Sequence, residues 1–182
     1  MSAFSSLIVQ RFGRYGTLTD SQLSALERHY TLLLKWNQKI NLTRITTLED
    51  AVEMHYCESL YVARFLPVQR IRIADIGSGA GFPGIPLAIR RPDCSFDLIE
   101  ADQRKAVFLR EAGRELGNVR VVAKRAADVS ERYELGVSRA VAAEDVLGSG
   151  VSERYLILGS EGEKLPWGEN RRVRLVEVPR ET

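Results

Sequence analysis

Long apolar runs are missing from this 182-residue sequence, and so is any surplus of cysteine, histidine or charge of one sign. No apolar stretch approaches the roughly 20 residues that a membrane-spanning helix needs, so no membrane segment is expected. Met1 to Gly16 holds no basic segment followed by an apolar core and a small-residue cleavage site, which leaves the cytoplasm as the expected compartment. The two cysteines, Cys57 and Cys94, stand too far apart for a disulfide framework or a zinc knuckle. The two histidines, His29 and His55, complete no metal-ligand spacing, so no metal is expected. A net charge of +2 gives no bulk signal for nucleic acid.

What is present is ordinary globular composition, with 45% hydrophobic and 27% charged residues. The length suits one core with a helical extension. Residues 1–66 read as helical. Leu23, Leu26, Tyr30, Leu33 and Ile40 recur at helical spacing, and Thr19 with Gln22 offers a capping box. A second helix fits Leu48 to Leu66, with Thr47 and Asp50 at its start and Pro67 at its end. From residue 67 to 182 the pattern alternates. Strands fit Ile71 to Asp75, Ser95 to Glu100, Val119 to Ala123, Leu135 to Ser138 and Tyr155 to Leu158, with helices up to Arg90 and over Arg104 to Leu116. Arg172 to Val178 reads as a sixth strand, at an edge. This predicts an α/β, Rossmann-like fold: a mainly parallel sheet with helices on both faces and an N-terminal helical extension. Ligands of such sheets sit at the carboxyl ends of the strands. Basic residues cluster at Arg90-Arg91, Arg104-Lys105, Lys124-Arg125 and Arg171-Arg172 with Arg174, and on one face they would form a phosphate-binding stripe.

The first strand runs straight into Asp75-Ile76-Gly77-Ser78-Gly79-Ala80-Gly81-Phe82-Pro83-Gly84. Glycine lets a ligand approach the backbone, and the strand–turn–helix context points to a nucleotide or nucleoside site. From Gly79 the turn satisfies GxGxxG, the dinucleotide fingerprint, and so an NAD-binding oxidoreductase stays an alternative. From Gly77 it reads GxGxG, the form typical of methyltransferases. Pro83 and Pro86 each remove an N–H that a pyrophosphate would use, which favours the phosphate-free ligand S-adenosylmethionine. Glu100, ending the second strand, can accept ribose hydroxyls of either ligand.

These residues resemble the RsmG (GidB) family, bacterial class I methyltransferases that modify N7 of a guanine in 16S ribosomal RNA. The stretch IADIGSGAGFPGIPL with its two prolines carries the resemblance most strongly. Lys35-Trp36-Asn37 with Ile40-Asn41-Leu42-Thr43 is similar to the family's N-terminal signature, and His55 with Glu58-Ser59 to its His-x-x-Asp-Ser. Lys105 with Phe108-Leu109 and Ser138-Arg139-Ala140 match further on, so the likeness covers roughly residues 20–147. It implies that Gly77 and Phe82 line the methyl-donor pocket, that Ala126 and Ala127 lie by the adenine, and that Arg139 sits near the reacting end of the cofactor. Gly79 and Glu100 join that set from the reading of the turn. The implied partner is 16S ribosomal RNA or the small ribosomal subunit, met by a monomer; a methyltransferase for a small molecule or protein is the other reading within enzymes.

Two departures stand out. Ala127 occupies a position where the family often carries an acid. The family's Lys-Gly after the fifth strand has no clear match in Leu156 to Ser160, where Lys164 is out of register, and the C-terminal third looks abbreviated. Guanine N7 bears a lone pair and no proton, so methylation there needs no general base, and no residue is expected to act as acid or base. Trp36 and Phe82 are read as possible stacking platforms for a base, Trp36 more readily as core. Asn41 and His55 are read either as groups at the mouth of the cleft or as satisfied polar groups of the core.

Overall fold

The computed structural model describes residues 1–179. Helices α1 (Ala3–Phe12) and α2 (Asp20–Asn37) open the chain. Thr19 caps α2 reciprocally: its hydroxyl accepts from the Gln22 amide, and the Gln22 side chain accepts from the Thr19 amide. The helical pattern after Thr47 is not one α-helix. It runs through α3 (Leu48–Ala51), a π-helical turn (Val52–Cys57), α4 (Glu58–Val62) and a 3-10 turn (Ala63–Phe65). Widened turns of this kind shift side chains relative to a regular helix, and this one carries His55 and Tyr56.

The alternating half forms β1 (Arg72–Ile76), α5 (Gly84–Arg90), β2 (Ser95–Ile99), α6 (Gln103–Gly113), β3 (Val119–Val122), a 3-10 turn (Ala126–Asp128), β4 (Leu135–Arg139), α7 (Ala143–Gly148), β5 (Arg154–Gly159), β6 (Glu163–Lys164) and β7 (Arg172–Glu177). The sheet order is β3-β2-β1-β4-β5-β7-β6. The first five strands pair in parallel, while β7 pairs antiparallel with β5 and β6. The expected edge position of the Arg172 strand is corrected here. The two-residue strand β6, which contains Lys164, pairs outside β7 and covers it. Strand order reverses between β1 and β4, so the crevice at their carboxyl ends is the place for a ligand.

Alternate residues divide the core. Ile73, Phe96, Leu98, Val137 and Leu156 face α2, α5 and α6, and the same apolar cluster takes in Phe4, Ile8, Leu26 and Tyr56 from the N-terminal helices. Ala74, Ile76, Ile99, Tyr155 and Ile157 face the other way, onto Val146 of α7 with Val129 and Tyr133. Helices were expected on both faces, but their distribution is lopsided. The β3–β4 connection holds only a 3-10 turn and the β4–β5 connection only the six-residue α7. Asp75 points into the thicker layer, where it meets the first turn of α5.

Candidate active site at the carboxyl ends of the strands

The glycine turn is held by its own backbone. The amides of Gly77 and Ser78 both donate to the Ile99 carbonyl, which ties the turn to the end of β2. Gly77, Gly79 and Gly81 all have positive φ, at 70°, 54° and 91°. At Gly79 a Cβ would meet nothing nearer than the Gly77 carbonyl oxygen at 3.8 Å, so that side of the backbone is open to an approaching ligand. At Gly77 the same atom would strike Val141 at 2.5 Å, so its side of the turn is already filled by protein.

Glu100 locks this arrangement. One carboxylate oxygen accepts from the Gly79 amide at 2.8 Å and the other from the Asp102 amide at 2.9 Å. Each oxygen keeps a second lone pair. Asp75 is fully buried; Oδ2 accepts from the Gly84 amide at 3.0 Å, while Oδ1 has no hydrogen-bond partner among the described residues. Burial raises its pKa to about 7. No free amide remains at the start of α5. Pro83 and Pro86 have none, the Gly84 amide goes to Asp75, and the Ile85 amide goes to the Gly81 carbonyl. A pyrophosphate would find no donors there.

Phe82 is 3% exposed. His55 stacks on its ring at 4.4 Å and 10°, while His29 and Tyr56 meet it edge-on at 5.1 and 5.0 Å. The reading of Phe82 as a stacking platform for a base is therefore corrected: its ring is enclosed by side chains of the helical segment. Trp36 is half-buried, packed edge-on to Phe108 and donating to Glu111 at 2.9 Å. His29 is buried, with Nε2 on the Ala80 carbonyl at 2.9 Å and Nδ1 on the Tyr56 hydroxyl at 2.8 Å. An imidazole nitrogen must donate to a carbonyl, so Nε2 carries the proton and Nδ1 accepts. Burial lowers the His29 pKa to about 4.

Arg139 ends β4 and reaches across to the helical segment. Its Nη1 donates to the Met54 carbonyl at 2.7 Å, its Nη2 to His55 Nδ1 at 2.6 Å, and its guanidinium lies 5.1 Å from the Phe82 ring centre. No carboxylate pairs with it at ion-pair distance among the described residues, and burial pulls its pKa down to about 10. The next residue, Ala140, has φ of 62°, a left-handed conformation that costs a non-glycine residue about 1 kcal/mol or more. Arg139 borders a cleft of about 710 Å³ with Thr43, Arg44, Glu144, Ile157 and Arg174. Beyond β2, a smaller cleft of about 350 Å³ is lined by Lys39, Asn41, Arg104 and Lys105.

The remaining expectations divide. Ala126 and Ala127 lie in the 3-10 turn after β3, Ala126 half-buried and Ala127 exposed, with Asp128 next to them. The basic groups do not form one stripe. Arg90 and Arg91 close the far end of α5, where Arg90 holds the Thr17 carbonyl and Arg91 pairs with Asp93. Arg171 makes a two-pronged ion pair with Glu58, whose side chain is 1% exposed; Arg174 pairs with Glu161. Glu58 and Arg171 are 113 residues apart, and neither was expected to need the other. The signal that could have found Glu58 is a lone charge within the run Tyr56-Cys57-Glu58-Ser59-Leu60-Tyr61-Val62, which is otherwise uncharged and mostly apolar.

The family model described as rRNA small subunit methyltransferase G matches residues 22–156. A protein of Desulforamulus reducens named ribosomal RNA small subunit methyltransferase G is 38% identical over 139 residues, covering 71% of this chain and 58% of that protein. Its namesake in Dichelobacter nodosus is 49% identical over 123 residues, covering 65% and 58%. The chain thus spans 58% of the length of either relative. Among solved structures, magnesium protoporphyrin IX methyltransferase from Synechocystis with bound SAH superposes with a TM-score of 0.54 at 14% identity, over 78% of this chain and 73% of that one. That likeness bears on the fold, a Rossmann-like sheet of the class I methyltransferase type.

Proposed function

The chain belongs to the rRNA small subunit methyltransferase G family, and from that premise we propose that it transfers a methyl group from S-adenosylmethionine to N7 of a guanine in 16S ribosomal RNA. The observation that carries the reading is the family match over residues 22–156, which includes the whole glycine turn and Arg139. The site's chemistry supports the same donor. S-adenosylmethionine is a nucleoside with a ribose, a cationic sulfonium and ammonium, and a carboxylate, and it has no phosphate. Gly79 leaves open space for close approach, and Glu100 keeps lone pairs for ribose hydroxyls. Arg139 has N–H groups without a partner among the described residues, free to meet a carboxylate. The absence of free amides at the start of α5 argues against NAD.

When bound, the donor supplies an activated methyl group on its sulfonium. The protein's own residues have to orient the two reactants and exclude water. No side chain has to take a proton from N7, which has none, and His55 is in any case held neutral: burial and the neighbouring Arg139 and Arg171 push its pKa down to about 2. Gly77, Gly79, Phe82, Glu100, Ala126, Ala127 and Arg139 make up the donor side of the site in this reading, the enclosed Phe82 acting by supporting Arg139. The 710 Å³ cleft beyond Arg139 is of a size to admit one nucleotide splayed out of the RNA. The protein would work as a monomer in the cytoplasm, on the RNA or the small subunit. Titration calorimetry with S-adenosylhomocysteine and with NAD tests the donor assignment. Binding of the first and none of the second is expected; tighter binding of NAD would overturn it.

A further inference from the structure

The hydrogen-bond partners of the Arg139 side chain, Met54 and His55, both belong to the N-terminal helical segment. A guanidinium can only donate, so His55 Nδ1 must be the acceptor in their 2.6 Å contact. The ring proton is then on Nε2, where it is donated to the Thr43 hydroxyl at 2.8 Å. That hydroxyl also accepts from the Ile45 amide at 3.1 Å, so it is anchored in turn. The imidazole lies flat on Phe82, which fixes its plane as well as its edge. Two of the five guanidinium N–H groups are used, on Met54 and His55, and the other three have no partner among the described residues. A half-buried cation with spare donors, bordering a cleft and lacking a carboxylate partner at ion-pair distance among the described residues, is suited to an anionic group of a ligand.

We propose that His55 is a positioning residue for Arg139: its Nδ1 holds the guanidinium beside Phe82 so that the unused N–H groups meet the carboxylate of the methyl donor. The inference rests on the reading that the chain binds S-adenosylmethionine. It assigns the helical extension a part in donor binding through a single imidazole nitrogen. The two ring nitrogens have separate duties, one toward Arg139 and one toward Thr43, and this makes the claim separable from a general packing role.

The test compares His55→Ala, His55→Asn and His55→Gln with the wild type. Asparagine places an acceptor oxygen where Nδ1 stood; glutamine places its amide where Nε2 stood. Affinities for S-adenosylhomocysteine and for 5′-methylthioadenosine, which lacks the carboxylate, are measured by calorimetry, with thermal melts as the folding control. His55→Ala should weaken S-adenosylhomocysteine about tenfold, or about 1.4 kcal/mol, and leave methylthioadenosine unchanged. His55→Asn should restore most of the affinity and His55→Gln little of it. In turnover the loss should fall on the donor KM more than on kcat. Rescue by glutamine in place of asparagine, or equal weakening of both ligands, would overturn the proposal and leave His55 a structural residue. If His55→Ala does not fold, the Asn–Gln pair decides alone. A wild-type protein that binds neither ligand would instead overturn the donor assignment itself, and the proposal with it.

Discussion

On the β1–β2 side of the site, partners are near neighbours in sequence: Gly79 and Glu100 are 21 residues apart, Asp75 and Gly84 nine. On the β4–β5 side they come from opposite ends of the chain, with Arg139 on His55 across 84 residues and Arg171 on Glu58 across 113. The first side is a strand, a turn and the next strand, a unit whose contacts are mostly backbone to carboxylate. The second forms only when the N-terminal helices dock on the sheet, and its contacts are between side chains with large desolvation costs. The shape of the glycine turn is thus built into a local unit, while the charges around the larger cleft depend on long-range folding.

Breaking the long-range side should have the largest effect on stability. Arg171→Met leaves the buried Glu58 carboxylate without its partner, and the expected cost at neutral pH is about 3 kcal/mol. Pairing it with Glu58→Leu should recover most of that loss, because the uncompensated charge goes too. Urea unfolding of the single and double variants checks this; a cost under about 1 kcal/mol for Arg171→Met would make the pair an ordinary surface contact. Reversing Arg171 to probe RNA binding would therefore report on folding first.

The His29–Ala80 contact joins α2 to the glycine turn, and pH exposes it. Its pKa is lowered on folding, from 6.5 to about 4. The stability it confers is full above pH 6.5 and is lost as pH falls toward 4, because the unfolded chain binds the proton that the buried ring refuses. The loss should be on the order of 3 kcal/mol over that window. Asp75 has the opposite sign: with its pKa raised to about 7, its contribution is present below about 4 and is lost as pH rises through 7. Comparing wild type with His29→Gln at pH 4 and at pH 7 cancels the Asp75 part. The gap between them should shrink at the lower pH; a constant gap would mean that His29 is charged in the fold.

The local side should give the smallest change in stability and a complete change in binding. Gly79→Val places a branched side chain in a left-handed position, costing about 1–2 kcal/mol, and fills the open space beside the turn. Binding of S-adenosylhomocysteine should vanish while the melt stays cooperative. Retained binding would move the donor away from Gly79.

This contrast also sets what was legible in the sequence. The strands from β1 to β5 and the capped start of α2 were readable, because hydrophobic period, glycine and proline act locally. The turn's conformation, with its positive-φ glycines, was readable for the same reason. The π-helical turn was not, since no side-chain period separates it from an α-helix. Strand β6 was not, because two residues carry no pattern, and missing it put β7 at the edge. The basic stripe failed because a cation's partner depends on tertiary docking: Arg171 and Arg174 each turn to an acid that spacing could not reveal.

Methyl transfer to guanine N7 of 16S ribosomal RNA would be read in the product. Unmethylated small subunits and naked 16S RNA are incubated with the protein and methyl-labelled S-adenosylmethionine, the RNA is digested to nucleosides, and the labelled nucleoside is identified by mass spectrometry. The expected result is label in 7-methylguanosine alone, with a rate that shows no essential base titrating near neutrality. Label in any other nucleoside, or none with either RNA from a protein that binds the donor, would contradict it.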